Sequence, residues 1–294
     1  MAKKFLLLLP IILLITAFLA YNTLTSSSTA EAQIYLEEGT VLINNEPLAE
    51  ATSLEEQDVI ETLSDGLATI ILYESITVSL NPNTKITVEE LTQQHPKLAQ
   101  EGGETWNTFT NIVGVESYSI SAGNSLATVR GTEFSLTEDK IITTEGEVEY
   151  RRGEETFKVR KEEVVEHIKE KSTKRSINTV EKEIVKKQRQ RTIKQLENLR
   201  AREIEKNQII KKAIIKQLDI EERQIKDHLR EIDDSGQDID RIIEKSPIKT
   251  ESLEKIARIT KEIQKKKGTL RKKDGQQISS DTKHLERIRR DIER

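Results

Sequence analysis

The chain has 294 residues, enough for about two domains, with 35% hydrophobic and 33% charged side chains and a net charge of −4. It contains no cysteine, which excludes disulfides, thiol catalysis and thiolate metal sites. The small total conceals a division. Residues 33–160 carry 23 acidic against 8 basic side chains, net −15, whereas residues 161–294 carry 27 against 37, net +10.

At the start, Lys3-Lys4 precede Phe5 to Ala20, sixteen uncharged residues interrupted only by Pro10 and Thr16. As a helix they span about 24 Å, and extension to Leu24 reaches across a hydrocarbon core of about 30 Å. Two readings stay open for residues 1–24: an uncleaved anchor, or a signal peptide removed after the small-x-small pattern Ala30-Glu31-Ala32. Either one exports the rest of the chain, with the lysines held inside. The expected location is therefore the cell membrane, single-pass with the bulk extracytoplasmic, or outside the cell if cleavage occurs. Residues 25–32, with Thr25-Ser26-Ser27-Ser28-Thr29, read as a flexible tether.

From Gln33 the periodicity is two. Ala68, Ile70 and Leu72 form one apolar row, and Ile76, Val78 and Leu80 another, as half-buried strands require. Turn residues separate such rows: Asn44-Asn45, Asp65-Gly66, Asn81-Pro82-Asn83, Gly123-Asn124 and Arg152-Gly153. Only Val88 to Gln100, with Pro96, interrupts the pattern, as a short helix or loop. Residues 33–160 are thus expected to form an all-β domain, sandwich-like or coiled as a β-solenoid, with Trp106, Phe109, Tyr118, Phe134 and Phe157 in its packing.

Particular stretches carry a family resemblance. Gly39 to Leu48, Leu54 to Thr62, Asp65-Gly66-Leu67-Ala68-Thr69-Ile70, Ser79 to Val88 and finally Ala127-Thr128-Val129-Arg130-Gly131-Thr132-Glu133-Phe134 follow one another in an order that resembles the FecR family of extracytoplasmic β domains. The resemblance favours a coiled β architecture. It also implies a regulatory alternative, because some FecR proteins relay an outer signal to a cytoplasmic sigma factor through an N-terminal cytoplasmic domain. Only Met1 to Lys4 precede the apolar run here, so relay is expected to need a separate membrane partner. The motif positions Val129, Arg130, Gly131, Thr132 and Phe134 are read as structural. Gly131 permits a bulge or close backbone approach. Arg130 is expected to pair with an internal carboxylate or backbone carbonyls, a grip on an anionic ligand being the alternative.

Residues 161–294 read as helical. Between Val180 and Ile232 there is no Pro or Gly, and a helix of about fifty residues would run about 75 Å. Ile214, Leu218, Ile225, Leu229 and Ile232 hold one narrow stripe, kept less regularly by Ile193, Leu196 and Leu199, so the helix is expected to need a partner. That partner is either shorter helices folded back on it as an antiparallel coiled coil, one of them marked by Leu253, Ile256, Ile259 and Ile263, or a helix of another chain. The fold class expected is α+β by segregated domains: an N-terminal transmembrane or signal segment, the all-β domain, then a charged coiled-coil region. Asp233, Asp234, Asp238 and Asp240 suggest a calcium loop only superficially, since Asp238 stands where the sharp turn needs Gly. They read instead as a capped helix-hairpin turn. The runs Lys265-Lys266-Lys267 and Arg271-Lys272-Lys273 lack a nucleic-acid-binding fold or interleaved aromatics. They read as a solvated helix face, with contact to an anionic envelope polymer, lipid headgroups or the chain's own acidic domain as the alternative.

His95, His167, His228 and His284 show no ligand spacing, and no phosphate loop or nucleophile elbow appears. The expectation is a non-enzymatic binding or scaffolding module without a cofactor or nucleic-acid partner. It is held to the membrane by its N-terminal helix and assembles with itself or a helical protein through residues 177–266.

Overall fold

The computed structural model describes residues 32–110, 114–168, 171–218, 221–235 and 252–271. Numbered in chain order, eighteen strands build two nine-stranded sheets. Sheet A runs β18 (Lys171–Ser176), β17 (Glu163–Ile168), β14 (Lys140–Glu145), β13 (Glu133–Leu136), β10 (Thr105–Phe109), β7 (Ile76–Leu80), β6 (Leu67–Leu72), β1 (Ala32–Glu38), β4 (Ala51–Ser53). Sheet B runs β16 (Glu155–Arg160), β15 (Glu147–Arg152), β12 (Ser125–Val129), β11 (Tyr118–Ala122), β9 (Lys97–Gly102), β8 (Lys85–Glu90), β5 (Val59–Thr62), β2 (Val41–Ile43), β3 (Glu46–Pro47).

The chain lays hairpins into both layers, β6–β7 in A, β8–β9 and β11–β12 in B, β13–β14 in A, β15–β16 in B and β17–β18 in A, with β10 returning to A between β9 and β11. Left-handed backbone falls at several of the Asn and Gly turns, with Asn44 and Asn45 at φ 50° and 69°, and also at Tyr73 and Glu74 between β6 and β7, at φ 47° and 55°. Every pairing is antiparallel except β9 with β11. This is a sandwich, and the solenoid alternative is set aside.

Between the layers lies one apolar core. Ile34, Ile70, Leu72, Val78 and Leu80 of sheet A meet Ile60, Ile86, Leu98, Ile120 and Val148 of sheet B, all buried. Phe109, Tyr118 and Phe134 belong to this core, and Phe157 packs against it beside Tyr150. Sheet B keeps the one-sided alternation of a half-solvated sheet, as in the BiBiB burial of β11 and β12. Sheet A does not. Its strands β10 and β13 are buried at every position, because a layer of helices covers the outer face.

That layer corrects the expected fold class of segregated β and coiled-coil domains. Strands continue to Ser176, past the expected end of the β region at 160. The fifty-residue helix does not form. In its place stand α1 (Thr179–Lys206, 28 residues), α2 (Gln208–Leu218), a 3₁₀ turn (Glu222–Gln224) and α3 (Ile225–Ser235), with a further helix, α4, over 252–271. Asn207 divides the first two at an extended backbone position. The apolar stripe packs inside the chain: Ile225 and Leu229 cluster with Ile204 and Ile256, and Ile193, Leu196 and Leu199 pack with Ile259 and Ile263 on Ile71 of β6. Trp106 is buried on this outer face too, with Ile142, Val164, Ile177 and Val185. The expected helix or loop over Val88–Gln100 is instead the hairpin of β8 and β9. The apolar N-terminal segment lies outside the described residues. Among those described, no helix is long and apolar enough to cross a membrane.

Candidate functional site

The family-motif residues occupy a crossover between layers. Val129 ends β12 in sheet B, and Phe134 sits in β13 of sheet A with its ring in the core. Gly131 makes the bend at φ 116°. Thr132 is buried at the corner, and its carbonyl accepts the Phe109 amide at 2.8 Å. A second crossover, from β14 to β15, turns at Gly146 with φ 77°. The two corners touch: a Cβ at Gly146 would lie 2.7 Å from the Gly131 carbonyl oxygen and from Thr132 Cγ2. Arg130, expected to pair internally, is exposed at this corner and forms no ion pair with a described residue.

The unnamed position of the motif has the stronger connections. Glu133 points out of sheet A into the helical layer and is only 2% exposed. Its Oε2 accepts from Lys266 Nζ of α4 at 2.9 Å and lies 3.8 Å from the Arg189 guanidinium of α1. Next to it Lys265 pairs with Glu145. Burial pushes the Glu145 carboxyl up, but the hydrogen bond from Lys265 and the charges of Lys266 and Arg189 outweigh it and leave it below the usual carboxylate value.

The seam continues along α1 toward β1. Arg191 donates to Glu37 Oε2 at 3.0 Å, to Asn81 Oδ1 at 2.8 Å and to the carbonyls of Ala68 and Leu80. One turn on, Gln195 donates to Thr69 Oγ1 at 2.7 Å and Ser79 Oγ at 2.8 Å. Burial alone would raise the Glu37 carboxyl, yet Arg191 holds it lowered overall. At the far end Lys255 bridges Glu74 of the sheet and Glu203 of α1. Arg202 stacks 3.7 Å above the Tyr35 ring. Within the helical layer, Arg200 grips Asp233 of α3 bidentately at 2.6 and 2.7 Å.

Of the two basic runs, Lys265 and Lys266 contact the acidic β half, whereas Lys267 and Arg271 pair within the helical layer and Lys272-Lys273 lie outside the described residues. Asp233, weighed as part of a calcium loop, is the partner of Arg200. No group of three or more potential metal ligands occurs among the described residues. His95 and His167 lie apart, bonded to Ser117 and Ser172 respectively, each at 2.8 Å. Glu133, Glu37, Arg189 and Arg191 escaped the sequence reading, since nothing local marks a charged residue whose partner is 133 positions away. Their only signal was the opposite net charge of the two halves.

The chain is therefore a two-layer antiparallel β sandwich with a charged helical cover joined to one sheet. Residues 58–149, from the start of β5 into β15, match the family model described as FecR protein, so the resemblance read from the sequence holds across the centre of both sheets. No curated protein matches the chain. Two crystal structures of a candidate anti-sigma factor from Parabacteroides distasonis ATCC 8503, at 2.50 and 1.65 Å, are similar at 18% identity with a TM-score of 0.37. Each match covers 41% of this chain and 60% of the solved one, less than two thirds of its length.

Proposed function

We propose that this chain is a non-enzymatic, membrane-anchored FecR-domain protein of the cell envelope that acts as a binding or scaffolding module. The FecR match over the sandwich carries this reading. The helical cover supports it, because ion pairs from Arg191 to Glu37 and from Lys266 to Glu133 join the basic half to the acidic half over one face of the sandwich. The identity of the envelope contact, whether an anionic polymer or a second copy, belongs to this proposal. Protease added to intact cells should cut the sandwich's exposed loops without lysis. Protection until lysis would remove the extracytoplasmic placement on which the reading stands.

A second reading, regulatory relay to a sigma factor through a separate membrane partner, is favoured by the same family match. Crosslinking in cells separates the two: recovery of a sensor-type membrane protein supports relay, whereas self-contacts or envelope polymer support scaffolding.

A further inference from the structure

The outer face of sheet A has an unusual composition for a permanent interior. One cross-strand row reads Thr69, Ser79, Trp106, Ser135, Ile142, and the next reads Ile71, Thr77, Thr108, Glu133. Six of these nine positions carry a hydroxyl or a carboxylate, while Trp106 sits on the central strand and Ile71 and Ile142 toward opposite edges. Surfaces that stay closed for good are dominated by apolar contact, and those that form and release are more polar.

The cover shows what chemistry the face accepts. On α4, Lys255 reaches Glu74, Ile259 and Ile263 pack on Ile71 with α1, and Lys266 reaches Glu133. Lysines eleven residues apart lie about 16 Å apart along a helix, so two acidic posts bracket an apolar seat. We propose that the outer face of sheet A is a receptor for a basic amphipathic helix of the pattern Lys-x3-Ile-x3-Ile-x2-Lys, occupied by residues 255–266 of this chain and open to a matching helix of a partner protein that displaces them. The proposal rests on the binding-module reading and gives it a partner class. The chain's own helix competes at the high effective concentration of a tethered ligand, so an outside helix binds well only once that cover is weakened.

The test uses a fluorescently labelled peptide of residues 252–271 added to the full chain, with anisotropy as the readout and hydrogen exchange as the fold control. Lys255→Glu/Lys266→Glu in the chain should release 252–271 and tighten binding of the wild-type peptide at least tenfold. Adding Glu133→Lys to that chain should abolish the gain. Equal or absent binding to the double variant, with sheet amides still protected, overturns the proposal. If the double variant does not fold, the wild-type chain in rising salt decides. Amides of 252–271 exchanging before those of the sheets, with peptide uptake, supports displacement; exchange of helix and sheets together overturns it. No cellular partner enters the assay, so its failure leaves the broader envelope reading to its own protease test.

Discussion

Gly131 and Gly146 both hold left-handed backbone at adjoining corners, but only Gly146 has neighbours where a side chain would go. Gly131→Ala should therefore cost about 1–3 kcal/mol of backbone strain alone. Gly146→Ala should cost more, because its methyl meets the Gly131 carbonyl as well; urea melts of the two variants check the order. At Glu133 the loss is electrostatic. Glu133→Gln leaves Arg189 buried without that carboxylate and Lys266 with Glu262 alone at 3.5 Å, and removing one partner of a buried pair costs about 3–5 kcal/mol. The same melts measure it, with Arg130→Ala as a surface control expected within about 0.5 kcal/mol of the parent. The motif's glycine was legible because a bend between strands calls for it. Glu133 was not, since a carboxylate inside a family signature looks like any acidic surface residue until its distant partners are known.

Element by element, the sheets were the readable part. Alternation located β6 and β7 and the Asn/Gly turns marked several further hairpins, because each half-buried strand writes its own period. By contrast, β9 fell in a segment read as helix or loop, and β17 and β18 in the region read as helical. The helices were harder. The buried face of α1 includes Gln188, Arg189, Thr192, Arg200 and Glu203 beside its aliphatic residues, so the apolar stripe looked too thin for anything but a coiled-coil seam. Its start, by contrast, is local chemistry. The Asn178 side chain accepts the Glu181 amide at 2.9 Å, and the Glu181 carboxylate accepts the Asn178 amide at 2.9 Å. Glu181 is also bound by Arg175 through two contacts of 2.7 Å, tying the helix start to the last strand. Asn178→Ala should lower stability by about 1 kcal/mol, read as an earlier thermal transition, and Asn178→Asp should retain most of it. An unchanged transition in the alanine variant would contradict the cap's contribution.

For the molecule as a whole, the division of charge into an acidic front and a basic back adds ion pairs to the apolar clusters that seat the helical cover on sheet A. Glu37 and Glu145 both titrate below their ordinary values because Arg191 and Lys265 outweigh burial. A carboxyl lowered in the folded state contributes stability that is present above its unfolded value of about 4.5 and lost as pH falls through the folded one. The helical cover should accordingly loosen on acidification below about pH 4.5, before the apolar core between the sheets gives way. Hydrogen exchange followed across that range checks the order. The most direct test of the cover itself is zero-length carbodiimide crosslinking of the full chain, with isotopically mixed copies to separate contacts within a chain from those between chains. Lys265 should join Glu145, and Lys255 should join Glu74 or Glu203, within single chains. Links confined to helix pairs of different chains, with none from 252–271 to the sheet, would contradict the account and restore a free-standing helical rod.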